Sequence, residues 1–417
     1  MHTTSPLLAN EYSLGEGTLP HLHSSITHLR GSELSQITPR WKRLTNSERY
    51  AEPFYQPEWF NAFASAFAPN GDVVLATAHH NSELIGIAPF LSTNTFFGRI
   101  PAHTYRSLSG IHSCRYDIMH RSDGPSVSNA LWRALRNDAS WQVIEALDVP
   151  ADATWYTLMK AAQRDGFLIG TWPTRQSPYL ALPPNGDDPF KNCPTSAKSY
   201  RSQLERKLRQ LRREGTVVFK TETQAAHTAL SEFIALELSG WKGANGSAIG
   251  SRDATRKFYD VVTEELAQQG NLRISSLQID STIIAMQLGF VMNGTYYVPK
   301  IAYSESFGKF SPGQLLWYHV IAELPSLGIH TIDFLGPQAR WKSVWTRHVR
   351  PHNTCYIFRP TLQGRLLYAL TMKLGRWARQ VRHSWCGDPQ ALSTQATPTT
   401  RTSITKQTCT TRNEADK

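Results

Sequence analysis

A chain of 417 residues, 40% hydrophobic and 11% aromatic, is long enough for two or three domains with water-excluding cores. It contains no run of about 20 apolar residues, which excludes a membrane-crossing helix, and Cys114, Cys193, Cys355, Cys386 and Cys409 are scattered without close pairs, which argues for reduced thiols in a cytoplasmic setting and against a metal knuckle. The net charge of +11 favours anionic partners.

Residues 1–32 are polar and turn-rich, lack a basic segment followed by an apolar one, and read as a flexible extension without a secretory signal. Next comes a helix whose apolar face is Trp59, Phe60, Phe63 and Phe67. It stops at Gly71 and is followed by an extended run from Val73 to Ala78, a turn at Asn81 and Ser82, and a second extended run from Leu84 to Phe90. At a constant offset of 199 the same pattern returns: Phe258, Tyr259, Val262 and Leu266, then Gly270, Leu272 to Leu277, Asp280 and Ser281, and Ile283 to Phe290. Further on, a helix from Ser126 to Leu135 leads into a strand from Val143 to Leu147, and one from Pro312 to Leu324 leads into Thr331 to Leu335. Two copies predict two like domains side by side, because a solenoid needs at least about three units. Hairpin strands must pair antiparallel, whereas a strand after a helical crossover can pair parallel. The expected fold is therefore α/β (α+β), two tandem domains, each a mixed β-sheet flanked by helices.

The domains are expected at 33–182 and 196–360. The linker at 183–195 opens with Pro183, Pro184, Asn185 and Gly186, which cannot continue regular structure. A helix from Ala197 to Arg213 carries Lys198, Arg201, Arg206, Lys207, Arg209, Arg212 and Arg213 against Glu205 and Glu214 alone. From Arg340 to Arg382 there are ten Lys or Arg and no Asp or Glu. Within that stretch, 361–386 reads as a basic amphipathic helix with Leu362, Leu366, Leu370, Leu374, Trp377 and Val381 on one side and Arg365, Arg376, Arg379 and Arg382 on the other. That face can dock on the protein or, through 362–382, contact the inner face of the cell membrane. Residues 387–417 are rich in Ser, Thr, Gln and Pro and read as disordered.

The most pointed chemical element is the strand Tyr296 to Tyr303, the loop Ser304 to Phe310, and the helix opened by Ser311-Pro312-Gly313. Proline suits a first helical position, and the amides and dipole of that turn suit a pyrophosphate, with Lys309 close by. Asp333, on a short strand otherwise made of Ile332, Phe334 and Leu335, is a candidate for orienting an acceptor or taking its proton. Neither a Ser-His-Asp nor a Cys-His spacing is evident, and His79-His80 has no further metal ligand at suitable spacing.

Ser239-Gly240-Trp241-Lys242-Gly243, Ile284-Ala285, Ala302-Tyr303 leading to Phe310-Ser311-Pro312-Gly313, and Asp333-Phe334-Leu335-Gly336 with Trp341-Lys342 stand in one order over about 196–342. The set resembles GNAT-fold acyltransferases of the CelD/BcsL (cellulose biosynthesis CelD-like) type, related to the FemAB transferases, which carry two such folds in tandem. The first domain matches by pattern alone, as a degenerate GNAT-like domain, and Trp341 replaces the tyrosine usual before Lys342. The resemblance implies acyl-CoA (acetyl-CoA) as co-substrate, no metal, and a sugar, polysaccharide precursor or amine of cell-envelope or exopolysaccharide biosynthesis as acceptor. It implies catalytic roles for Asp333, Lys342 and Tyr303, with Lys342 alternatively holding an anionic part of donor or acceptor. Donor contacts are implied for Gly308, Lys309, Ser311, Gly313 and Gln314, and acceptor contacts for Trp241, Lys242 and Lys300. Two other readings stay open: a Fem-like transferase using aminoacyl-tRNA, bound by the basic helix, and a non-catalytic envelope-assembly scaffold.

Overall fold

The repeat read from the sequence is a repeat of structure. In the computed structural model, residues 22–374 are described, apart from 111 and 122. The first half runs β1 (His23–Arg30), α1 (Thr38–Thr45), α2 (Pro57–Phe67), β2 (Asp72–His80), β3 (Glu83–Phe97), β4 (Ile100–Ser107), β5 (Met119–His120), α3 (Gly124–Asn137), β6 (Val143–Pro150), α4 (Trp155–Arg164) and β7 (Leu168–Ala181). The second runs α5 (Ser196–Leu211), β8 (Val217–Glu222), α6 (Ala226–Ser239), α7 (Trp241–Ala244), α8 (Asp253–Gln268), β9 (Leu272–Ile279), β10 (Thr282–Met292), β11 (Thr295–Tyr303), α9 (Pro312–Glu323), β12 (Thr331–Asp333), α10 (Arg340–Ser343), β13 (Val349–Phe358) and α11 (Leu362–Tyr368).

The expected helix, hairpin, crossover helix and strand recur as α2, β2–β3, α3 and β6 and as α8, β9–β10, α9 and β12. Both crossover strands pair parallel with the strand that ends the preceding meander, β6 with β4 and β12 with β11, while the hairpins pair antiparallel. The two stop glycines differ in physics. Gly270 has φ +70°, a left-handed helix end that favours glycine, whereas Gly71 is needed for room, since a Cβ there would lie 2.8 Å from Ala68 Cβ.

Two sheet contacts depart from the sequence expectation. Residues 23–30, assigned to the flexible extension, form edge strand β1 paired with β2 from His23↔His79 to Arg30↔Asp72. An edge strand can be polar because its stability comes from backbone hydrogen bonds on one side. The domain limits 33–182 and 196–360 also do not partition the sheet. Strand order is β1-β2-β3-β4-β6-β13-β7-β12-β11-β10-β9-β8, so β13, from the second half, completes the first half's sheet against β6. In return the end of β7, from the first half, pairs with β12. The halves exchange their last strands, and β7 bridges them by pairing with β13 along most of its length.

Helices α2 and α8 pack on each other on one face of the sheet, where Trp59, Phe63 and Phe67 bring ring centroids to 5.2, 6.3 and 5.6 Å of Phe258. Each such aromatic removed from water contributes on the order of 2–3 kcal/mol. The opposite face is covered separately: α3 and α4 bury Trp132 and Trp155 over the first half, and α9 buries Leu315 and Trp317 over the second.

The described residues up to Tyr368 form one compact unit, and Ala369–Leu374, a π-helical segment, belongs to a second. In α11 the residue that docks is Leu367, fully buried, while Leu362 is 88% and Leu366 49% exposed. The expected apolar face is thus turned outward there. Residues 375–386 of the amphipathic helix, the tail 387–417 and residues 1–21 lie outside the described residues. No described helix is long and apolar enough to cross a membrane.

Candidate active site

Strands β11 and β12 pair over Thr295–Tyr297 and Thr331–Asp333 and then separate. Beyond the last pair lies a cavity of about 490 Å³, lined by Val298 to Ile301 of β11, Phe334 to Pro337 after β12, Trp341 and Lys342 of α10, Lys242, and Tyr259 of α8. The first half closes it with His112 and Cys114, from the β4–β5 loop, and Thr174 and Arg175 of β7.

Each basic group reaches the cavity for a local reason. Lys300 pairs with Leu288 and Tyr297 with Phe290, so Val298 and Pro299 together face Gly289 in a β-bulge. Proline fits there because it has no ladder hydrogen to lose. Before the bulge Tyr297 packs toward α8, and after it Ala302 does. The extra residue turns Lys300 to that face, where its ammonium stands 5.8 Å from the Tyr259 ring centroid and burial lowers its proton affinity. Lys242 follows from the Gly-Trp-Lys-Gly turn: at Gly243 a Cβ would lie 1.9 Å from Leu238 O, so the close turn requires glycine. Lys242 Nζ donates to Glu237 Oε1 at 2.9 Å and to Ile301 O at 2.6 Å.

Lys342 is 7% exposed and its Nζ donates to Leu335 O and to Pro337 O at 3.0 Å. Burial pulls its pKa down to about 8, against an upward pull from Cys114 and Asp333. The turn that supplies both carbonyls has Leu335 and Gly336 at φ 50° and 58°, a left-handed pair that Leu335 adopts at a cost. Trp341, in place of the tyrosine expected there, packs tilted with its ring centroid 5.9 Å from that of Trp317 and carries the Lys342 ammonium 5.3 Å from its ring.

Asp333, expected to orient an acceptor or to take its proton, is buried among cations. It does not line the cavity, and its carboxylate accepts hydrogen bonds from Arg115, from Arg350 Nη1 at 2.9 Å and from Leu335 N at 2.9 Å. Burial alone would raise its pKa, but the two guanidinium groups hold it below the ordinary carboxylate value. A carboxylate so engaged is a weak proton acceptor. Asp333 Oδ1 accepts from Leu335 N, in the turn whose carbonyl accepts from Lys342.

The loop before α9, where donor contacts were expected, is a helical turn, Glu305–Phe310, followed by Ser311 at φ 55°, ψ 55° and Pro312 at the first position of α9. Ser311 Oγ accepts from Lys207 Nζ at 2.6 Å, which brings the basic helix α5 to the loop. Nothing stands within 4 Å of a Cβ built on Gly308, and one on Gly313 would lie 3.6 Å from Tyr303 Cδ1. Tyr303, 37% exposed, therefore flanks the start of α9 and not the cavity. Gln314 is committed elsewhere, its Oε1 accepting from Trp345 Nε1 at 3.1 Å, and Lys309 pairs at 3.4 Å with Glu214 on the surface. Trp241, 50% exposed, does not line the cavity either.

In the first half the corresponding places are filled by the chain itself. Asp123 accepts from Ser126 N at 2.9 Å at the start of α3, and Ser107 Oγ accepts from Leu147 N at 3.0 Å between β4 and β6.

Sequence reasoning missed His112, Cys114 and Arg175 as site residues, since they carry no local motif, and read Tyr259 only as part of an apolar helix face; the four meet only through the tertiary fold. His112 Nδ1 lies 3.4 Å from the Tyr259 hydroxyl, and burial lowers its pKa to about 4, so the imidazole is neutral at pH 7. Among the described residues no group of three or more His, Cys, Asp or Glu is placed to hold a metal ion.

A parallel pair that opens beside a helix-opening loop, in a mixed sheet present twice, defines a GNAT-like architecture. Residues 198–343 match the family model of the acetyltransferase (GNAT) domain, so the second half is an acyltransferase domain of that class. No curated protein sequence matches the chain. Among solved structures, FemX superimposes with a TM-score of 0.51 at 12% identity, over 83% of this chain and 99% of FemX. A tandem GNAT protein from the clavulanic acid biosynthesis pathway gives 0.43 at 12% identity, over 81% and 100%. A C-terminal DUF2156 domain from Agrobacterium fabrum, described under the name lysylphosphatidylglycerol synthetase, gives 0.49 at 12% identity, over 81% and 96%. The FemX likeness bears on fold alone.

Proposed function

We propose that the protein is an acyl-CoA-dependent N- or O-acyltransferase whose acceptor is a sugar, a polysaccharide precursor or an amine used in cell-envelope or exopolysaccharide biosynthesis. The observation that carries this reading is the opening between β11 and β12, with the donor loop on its α9 side and a cationic cavity beyond the last strand pair. Lys207, Ser311 and the first turn of α9 supply cation, hydroxyl and helix dipole for a pyrophosphate. The acyl carbon is then held against the acceptor, and juxtaposition supplies much of the acceleration.

Attack by the acceptor nitrogen or oxygen forms a C–N or C–O bond and puts negative charge on the former carbonyl oxygen. The charge collapses to break the C–S bond, and the thiolate leaves with coenzyme A. Lys342, fixed by two carbonyls and little hydrated, is a preorganised cation for that oxygen. Among the described residues no carboxylate lines the cavity, so the acceptor proton leaves through solvent or through the neutral His112 imidazole.

The family resemblance supports the acceptor class, and the outward Leu362 and Leu366 support contact with a membrane surface. The test is calorimetric titration with acetyl-CoA: saturable binding that weakens in Lys207→Met is expected, and no binding at millimolar concentration sinks the reading. Exposed Arg206, Arg209, Arg212 and Arg213 favour one second reading, aminoacyl-tRNA as donor. It requires salt-sensitive tRNA binding that disappears when Arg206, Arg209 and Arg213 become alanine.

A further inference from the structure

The cavity is strongly cationic. Lys242, Lys300, Lys342 and Arg175 line it together with the neutral His112, and no Asp or Glu lines it among the described residues. Two of the cations are neutralised from behind the wall, Lys242 by the buried Glu237 and Arg175 by the buried Asp148. Lys342 is held by carbonyls. Lys300 is half-buried and has no carboxylate at ion-pair distance among the described residues; Glu237, already paired with Lys242, raises its proton affinity less than burial lowers it. An unpaired cation turned into a cavity by a β-bulge is costly to fold, and an anion bound there offsets the cost.

The position of Lys300 separates two sources of such an anion. The donor loop is on the α9 side of the sheet, whereas Lys300 and Tyr259 stand on the α8 side, with His112 and Cys114 brought there by the first half. We propose that the acceptor carries an anionic group, a phosphate or a carboxylate, seated by Lys300 with Lys242 and Arg175 in a pocket that the first half completes. This rests on the acyltransferase reading and assigns the first half a part in acceptor selection.

The experiment compares binding of glucosamine, glucosamine 6-phosphate and muramic acid to the full chain by calorimetry without donor, with inorganic phosphate as a minimal probe. At least one anionic sugar should bind about tenfold tighter than glucosamine, the tighter one identifying phosphate or carboxylate. The preference should collapse in Lys300→Met and persist in Lys300→Arg, with thermal melting showing that each variant is folded; Lys300→Gln replaces the methionine variant if that one is not. Equal binding of all three sugars, a preference that survives loss of the ammonium, or no binding of any anion including phosphate overturns the proposal. Acetyl-CoA affinity is measured separately, so failure of the donor reading is distinguishable from failure of this one.

Discussion

Arg115 donates to Asp333 across 218 positions of sequence, joining the β4–β5 loop of the first half to the end of β12 in the second, with each side chain 2% exposed. Glu52 takes the other end of the guanidinium, and Arg350 donates to the same carboxylate oxygen, Asp333 Oδ2, as Arg115. Removing Arg115 leaves a buried carboxylate with one remaining cation, so Arg115→Met is expected to cost about 3–5 kcal/mol in urea unfolding. A cost below about 1 kcal/mol would show that the pair does not fasten the halves.

The same pair sets an acid limit. The folded pKa of Asp333 is depressed, so its contribution is present above the unfolded value of about 3.9 and is lost as pH falls through the folded value. Stability of the native chain should therefore drop more steeply below about pH 4 than that of Asp333→Asn, measured by melting temperature against pH.

Lys342 gives the opposite sign at the alkaline end. Its folded pKa of about 8 is below the unfolded value of about 10.4, so the unfolded chain binds more protons between them and stability from this group rises with pH there. The rise is on the order of 3 kcal/mol and should be missing in Lys342→Met. Turnover should fall as pH passes about 8, because the cation facing the developing oxyanion is lost. A rate that climbs through that range would assign Lys342 a proton-accepting role instead.

At the donor loop, Lys207→Met removes a contact that binding and transition states share. KM for acetyl-CoA is expected to rise about tenfold with kcat little changed. Ser311→Gly should keep the left-handed turn, whereas Ser311→Val should add about 1–2 kcal/mol of strain to the hydroxyl it removes. Equal acetyl-CoA affinities for the two Ser311 variants would argue against a role for the turn's geometry.

Gly243→Ala tests the acceptor wall without touching a charge. A Cβ 1.9 Å from Leu238 O must push the Trp241–Ala244 turn outward and carry Lys242 away from Glu237. The expected result is lower stability together with a higher acceptor KM, while acetyl-CoA affinity, read by titration, reports the donor side independently.

Local pattern determined much of the architecture. Apolar spacing at Trp59 to Phe67 and Phe258 to Leu266, the turns at Asn81 and Asp280, and Pro312 at a helix start are consequences of neighbouring residues, and each stands where the sequence indicates. Family-like motifs brought Lys242, Lys300 and Lys342 forward, and the fold collects all three at one cavity. Pro299 inside a strand was the legible sign of the bulge that aims Lys300. The tertiary structure alone decided the rest. Strand partners are chosen by backbone hydrogen bonding and not by distance along the chain, so nothing local announces that β13 completes the other half's sheet or that Asp333 meets Arg115. That encounter holds Asp333, read from the sequence as an acceptor-orienting or proton-accepting group, in its charged form between two guanidinium groups, because ionisation depends on the charges a residue faces and the water it loses, and both are properties of the folded molecule.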